Sequence, residues 1–336
     1  MRGPCMMDSL VKIAIIGCGS LMYHFVYDCL KRIPFNLIAA SHEDEGELTR
    51  FTNRYRVPKA YTNYREMLQQ EQLDAVICFT DDEYAHFQIA EECLQANVHV
   101  FMERPACFSI QQAERLLELQ RRTGKYVVSR FNKRFTTAYM MAKEIIQREE
   151  FGRVTMFLSK FQGSESASNE LFLFNHVSHH LDLARFLLGE IKSLHVDQIN
   201  LDAHRVGYNI SFVAESGAIG VIQSGSLQKI EYPMERVEIT GVGTNIIVDN
   251  IRHLAYNRPA PKRVGFQFAK LADGGDTLMW NLNHGNLSNY SYYGFEQQLY
   301  EFIDSIQRQM APEPNMEDTI HTVKLLVQIQ FLSQTK

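Results

Sequence analysis

The stretch Val11-Lys12-Ile13-Ala14-Ile15-Ile16-Gly17-Cys18-Gly19-Ser20-Leu21-Met22 decides the fold. Its first six residues form a short apolar, β-branched run broken only by Lys12, the pattern of a buried strand. Two glycines then turn the chain into residues 21–32, where Phe25, Cys29 and Leu30 recur at helical spacing before the stop at Pro34. A glycine turn between strand and helix lets backbone amides and the positive helix end approach a diphosphate. The third glycine of G-x-G-x-x-G is missing, and Met22 stands in its place, either lifting the helix slightly or filling a gap. Gly17, Gly19, Ser20 and Leu21 are the expected phosphate-side contacts.

Outward from this turn, apolar runs at 35–41, 75–80, 98–102 and 126–129 alternate with helical spacing at 47–55, 86–96 and 110–123. Alternating strands and helices with short connections predict βαβ units and a parallel sheet covered on both faces. The fold class expected is α/β: an N-terminal Rossmann dinucleotide-binding domain over residues 1–130. After about Arg134 the character changes. A helix at 138–148 is followed by strand-like runs at 154–161, 193–199, 209–215, 218–224, 236–240 and 245–248, interrupted by a helix at 175–188. Residues 131–336 therefore read as an α+β domain with a largely antiparallel, open-faced sheet. Its closing helices, at 294–309 and 318–333, are expected to pack back toward the first domain.

Apolar residues make up 45% and charged residues 22% of the 336, a globular balance, with a formal charge of −5. That mild acidity argues against a nucleic-acid footprint. No run approaches the roughly 18 apolar residues of a membrane span. The opening MRGPCMMDSL lacks the apolar core of a signal peptide, and Met6 or Met7 is a possible start. The cysteines Cys5, Cys18, Cys29, Cys78, Cys93 and Cys107 form no C-x-x-C pair. They read as reduced thiols of a cytoplasmic protein rather than metal ligands, so no metal is expected.

The second strand ends in Ser41-His42, with Glu43 and Asp44 one step later. An acid at that tip normally takes the adenosine ribose hydroxyls and repels a 2′-phosphate. Its absence leans the cofactor from NAD toward NADP, with Ser41 and His42 on the phosphate; the alternative is that Glu43 folds back onto the ribose. Thr80 and His86 flank the end of the 75–80 strand. Met102-Glu103-Arg104-Pro105 ends another strand on the ligand side of a parallel sheet.

In order and spacing these segments resemble the glucose–fructose oxidoreductase/inositol dehydrogenase family (Gfo/Idh/MocA), over about residues 11–333. VKIAIIGCGS resembles its first strand and glycine turn, and VPKAYTNYREML its V-P-x-x-Y-x-x-Y-x-E-(M/L)-L segment. LDAVICFT followed by His86 resembles its fourth strand and turn, NVHVFMERP its G-K-H-V-x-x-E-K-P signature, and Asn132-Lys133-Arg134-Phe135 its N-x-R-F. NHVSHHLDLARFLLGE is similar to D-x-G-x-H-x-x-D-x-x-x-x-L-x-G, and GFEQQLYEFIDSI to its closing helix.

The resemblance implies hydride transfer between NAD or NADP and a sugar, inositol or related polyol or ketone. It also implies a homodimer or homotetramer built through the second sheet. The family's lysine, aspartate and histidine map onto Arg104, Asn175 and His179. Arginine stays protonated and cannot relay a proton as lysine does, but it can polarise a carbonyl or bind an acidic substrate. Asn175 can orient a hydroxyl. His179, four residues on, keeps the acid–base chemistry. Glu103 is expected at the nicotinamide ribose, and Lys133, Arg134 and His176 toward the substrate. Asp182 reads as a structural partner. The aromatic run Tyr290, Tyr292, Tyr293 and Phe295 reads as packing or as a sugar-stacking wall. The substitutions at 104 and 175 leave a second reading open, a non-catalytic dinucleotide or sugar sensor.

Overall fold

The computed structural model describes residues 10–19, 29, 32–229, 233–259, 275–282 and 293–334. Contacts divide the chain into a first unit, Met1–Asn132 with Ser288–Val327, and a second, Lys133–Leu287 with Gln328–Lys336.

In the first unit six strands lie parallel in the order β3-β2-β1-β4-β5-β6. They are β1 (Lys12–Ile16), β2 (Asn36–Ser41), β3 (Lys59–Tyr61), β4 (Ala75–Cys78), β5 (His99–Met102) and β6 (Val127–Ser129). Helices α1 (Glu45–Tyr55), α2 (Tyr64–Gln70), α3 (His86–Gln95) and α4 (Ile110–Thr123) connect them. Every residue of β4 and β5 is buried, as the apolar runs require of strands covered on both faces. The order reverses between β1 and β4, so the crevice at their carboxyl ends is the ligand position of a doubly wound sheet. The helix expected over 21–32 falls mostly outside the described residues.

The second unit carries α5 (Thr137–Ile146), α6 (Ser178–Leu188), and strands β7 (Val154–Gln162), β8 (Ile191–Asn200), β9 (Val206–Ala214), β10 (Ile219–Gly225), β11 (Met234–Gly241), β12 (Asn245–Asp249), β13 (His253–Pro259) and β14 (Gly275–Asn281). The sheet order is β14-β13-β12-β11-β7-β10-β9-β8, with only β7 and β10 parallel. Helix α5 packs on β12 and β13, and α6 on β7. One face is therefore covered, and alternate residues on the other face the open side: Phe157, Ser159 and Phe161 are buried, Met156 and Leu158 exposed.

The last helices are α7 (Phe295–Gln307) and α8 (Met316–Gln334). The sequence places this segment within residues 131–336 and expects it to pack back toward the first domain; Phe295, Leu299, Phe302 and Ile303 lie in the first unit's core beside Phe79 and Phe101. Phe295 is thus a packing residue, while Tyr290 and Tyr292 lie outside the described residues. Strand β3, helix α2 and the outer strands β13 and β14 are also absent from the sequence periodicity. Among the described residues no helix is long and apolar enough to cross a membrane.

Candidate active site

At the end of β1, Gly17 adopts φ 88°, and a Cβ there would stand 2.1 Å from the Phe79 carbonyl oxygen. Its N–H donates to the Ser41 carbonyl at 2.9 Å, tying the turn to the tip of β2. Gly19 faces the Asp81 carboxylate, 3.1 Å from where a Cβ would lie. Ser20 and Leu21 fall outside the described residues. Beside the turn opens a cavity of about 600 Å³, lined among others by Gly17, Ser41, His42, Glu43, Thr80 and Asp82.

The acidic residues in and near it have different duties. Asp44 caps α1, accepting the Glu47 N–H at 2.8 Å, and that bond first of all holds its carboxyl below the ordinary value. Asp82 accepts the Tyr84 N–H at 3.0 Å. Arg65, on the same wall, is paired with Glu92 at 2.8 Å. Glu43 stands exposed at the tip of β2. A glycine turn without side chains, next to a polar cavity of this size at the switch point, fits a dinucleotide.

At the end of β5 one carboxylate serves two guanidiniums. Glu103 Oε1 accepts Arg104 Nη1 at 2.7 Å and the Arg104 backbone N–H at 3.0 Å; Oε2 accepts Arg130 Nε at 2.6 Å. Arg130 continues to Asn132 at 2.9 Å, whose amide donates to the Tyr293 carbonyl at 2.6 Å. All four side chains are buried. Burial alone would raise the Glu103 carboxyl, but Arg130 and Arg104 overcome it and hold it below its usual value. Burial, then Arg130, push Arg104 down to about 9, Glu103 opposing, which leaves the group cationic at neutral pH. His86 is fully buried and its Nδ1 lies 2.9 Å from the Pro105 carbonyl. Since a carbonyl only accepts, Nδ1 carries the proton. Its Nε2 has no hydrogen-bond partner among the described residues.

In the second unit Asn175 and His176 sit in a widened π turn, Leu173–Val177, closed by the Ser178 N–H donating to the Leu173 carbonyl. Such turns occur often at functional sites. Asn175 and His176 are half-buried, and His179 is 6% exposed. His176 stacks on Phe161 at 5.4 Å. His180 is fully buried with Nδ1 2.6 Å from the Ser159 hydroxyl. Arg134 forms a two-pronged bridge to Asp182 at 2.7 and 2.5 Å, and Lys133 pairs with Glu235, which also accepts the Tyr139 hydroxyl at 2.5 Å. Among the described residues no three His, Cys, Asp or Glu side chains are grouped to hold a metal.

Sequence reasoning missed Arg130, Ser159, Glu235 and Tyr139. Ser159 had a signal: it is the polar residue at an inward position of β7, between Phe157 and Phe161. Glu235 had none, since Lys133 lies 102 residues away.

A doubly wound sheet with a glycine turn, a polar cavity of about 600 Å³ at the switch point and a charged strand end defines a dinucleotide-binding protein. Residues 11–131 match the oxidoreductase family with an NAD-binding Rossmann fold, and residues 139–246 match the GFO/IDH/MocA C-terminal domain. The chain belongs to this family and is an NAD-binding oxidoreductase. It is 26% identical to myo-inositol 2-dehydrogenase of Thermotoga maritima over 258 residues, 72% of this chain and 76% of the relative. It is 25% identical to the scyllo-inositol 2-dehydrogenase (NAD(+)) of Bacillus subtilis over 265 residues, 74% and 76% of the two chains. The crystal structure of a dehydrogenase from Chromobacterium violaceum superposes with a TM-score of 0.87 at 20% identity, covering 97% of this chain and 96% of that one.

Proposed function

We propose that the protein transfers hydride between NAD and a neutral polyol or sugar carbon, interconverting a secondary alcohol and a ketone. The observation that carries the neutral substrate is the one-to-one pairing of the second unit's cations: Lys133 with Glu235 and Arg134 with Asp182. An acidic substrate bound by Lys133 or Arg134 would have to displace one of these carboxylates, at a cost of several kcal/mol for a buried pair. The inositol dehydrogenases among its relatives support the same class.

Two further assignments follow from charge. Glu43, Asp81 and Asp82 all line the cavity beside β2. A 2′-phosphate would face these carboxylates, whereas a ribose diol donates to one of them, so the cavity favours NAD although the sequence leans toward NADP. Within the site Gly17, Gly19, Ser41, His42 and Thr80 hold the dinucleotide. The nicotinamide, when bound, supplies hydride exchange. His179 takes or returns the hydroxyl proton, Asn175 orients the hydroxyl, and Arg104 stabilises negative charge on the reacting oxygen. We also propose that the open face of the second sheet joins copies of this chain in a homo-oligomer.

The test pairs binding with turnover. NADH is expected to quench protein fluorescence more tightly than NADPH, and Glu43→Arg to invert that order. myo-Inositol with NAD+ is expected to be oxidised in preference to a uronate, and His179→Ala to lower kcat by about 10²–10⁴ without weakening NADH. Tighter NADPH binding in the wild type would reverse the cofactor assignment. Sugar-dependent NADH binding without any turnover would make the protein a sensor instead.

A further inference from the structure

Lys133, Tyr139, Ser159, His180 and Glu235 form an enclosed polar cluster in the second unit that the reading above leaves without a task. Glu235 and Lys133 side chains are 9% and 12% exposed, and Tyr139, Ser159 and His180 are fully buried. Burying charges costs several kcal/mol per ion, and pairing at best roughly offsets that, so stability alone is a poor reason to keep them. Ionisable groups packed beside a candidate acid–base element point to function.

The cluster is built with care. The Asn250 side chain accepts the Glu235 N–H at 2.8 Å, and the Asn250 N–H donates to the Glu235 carbonyl at 2.7 Å. The turn that permits this holds Asn250 at φ 46° and Ile251 at φ 53°. Left-handed backbone costs an L residue about 1–2 kcal/mol, and a β-branched side chain suits it least. The start of β11 is thus pinned at the expense of local strain. The Phe161 ring then joins the parts: its centroid lies 5.4 Å from His176, 5.2 Å from His180 and 6.0 Å from Lys133 Nζ. Burial raises the Glu235 carboxyl, and Lys133 and then His180 draw it back below its usual value, so carboxylate and imidazole are within electrostatic reach.

We propose that the Lys133–Glu235 pair is a positioning element for the histidine helix: it sets the charge of His180 and, through Phe161, the ring plane of His176. This rests on reading α6 and its preceding turn as the acid–base element. In that reading Asn175 supplies no carboxylate, and β11 supplies one from beneath. The Ser159 hydroxyl of β7 bonds His180, Glu235 of β11 lies within electrostatic reach of it, and Lys133, from the segment after β6, reaches it through its pair with Glu235. Tyr139 of α5 bonds to Glu235. On its own helix stand His179 and Asp182, the latter held by Arg134, and His176 lies in the turn before it.

The test follows the imidazole itself. Protein labelled with 15N-histidine is titrated by NMR from pH 5 to 9, with His180 assigned by its loss in His180→Gln. Glu235→Gln leaves the Lys133 cation and is expected to lower the His180 midpoint by about half a unit or more; Lys133→Met leaves the carboxylate and is expected to raise it. The double variant returns near wild type, and Glu235→Asp stays there. A merely structural pair would shift both single variants in one direction, or neither, and either result overturns the proposal. So does a His180 that never titrates in the wild type. Far-UV circular dichroism confirms that each variant folds; should Glu235→Gln not fold, Lys133→Arg against Lys133→Met makes the same comparison. The spectra need no substrate, so they stand or fall apart from the turnover assay of His179→Ala.

Discussion

Glu103 holds two guanidiniums with one carboxylate, and Arg104 and Arg130 repel each other across it. Glu103→Gln keeps the shape and removes the charge that balances them. Removing one partner of a buried pair costs about 3–5 kcal/mol, and urea unfolding of the variant should show a loss of that order. The pH dependence has a definite sign. The folded carboxyl titrates below its ordinary 4.5, so as pH falls the unfolded chain binds the proton first. Stability due to Glu103 is complete above about 4.5 and is lost as pH drops through the lower folded value. Glu235, also held low, adds a loss of the same sign. Glu103→Gln should therefore flatten the acid limb of the stability curve below the ordinary 4.5. An acid limb as steep as that of the wild type would mean the carboxyl is not held low.

Among elements, the turn after β1 shows why two glycines that both have positive φ are not equivalent. Gly17 at φ 88° has the Phe79 carbonyl where a Cβ would go; Gly124 at φ 67°, capping α4, has nothing within 4 Å. Gly124→Ala should cost about 1–2 kcal/mol, the left-handed penalty alone. Gly17→Ala must in addition part β1 from the residue following β4, and should abolish NADH binding even where the protein folds. Fluorescence titration of the two variants separates these outcomes. The glycine turn and the parallel strands were legible in the sequence because each is local: an apolar run of four to six residues, then a turn residue. The ends of the strands were legible as places, but their pairings were not. That Glu103 would meet Arg130, or Lys133 meet Glu235, depends on the fold closing over 27 and 102 residues of chain. The inward Ser159 could have been flagged by the alternation of β7. Strand β14 could not, since its residues alternate between exposed and half-buried and leave no apolar stripe. The tip of β2 reads differently in sequence and in structure: the missing acid at position 42 leans toward a phosphate, while Glu43, Asp81 and Asp82 line the cavity beside it, on which the proposal of NAD rests.

At the scale of the whole molecule, the open face of the second sheet is the feature a single chain leaves unexplained. Ile219 of β10 pairs in register with Met156 of β7 and Val213 of β9, so three apolar side chains form one row across three strands. They are 50%, 52% and 37% exposed, and Leu158 two residues along β7 is 36% exposed. Contiguous apolar surface on a sheet commonly marks an interaction site. Symmetric pairing of copies is the commonest way for a soluble protein to cover such a face. A single charge in the row would then be duplicated across a two-fold axis and meet either its own copy or apolar surface, and both are costly. Ile219→Glu or Met156→Glu should accordingly release monomers, read as a halved or quartered mass by light scattering. Because the row lies on the sheet's uncovered side, away from the face packed by α5 and α6, far-UV circular dichroism and NADH affinity should be unchanged. Wild-type protein that runs as a monomer at all concentrations, or variants that keep the wild-type mass, would assign this face to something other than self-association.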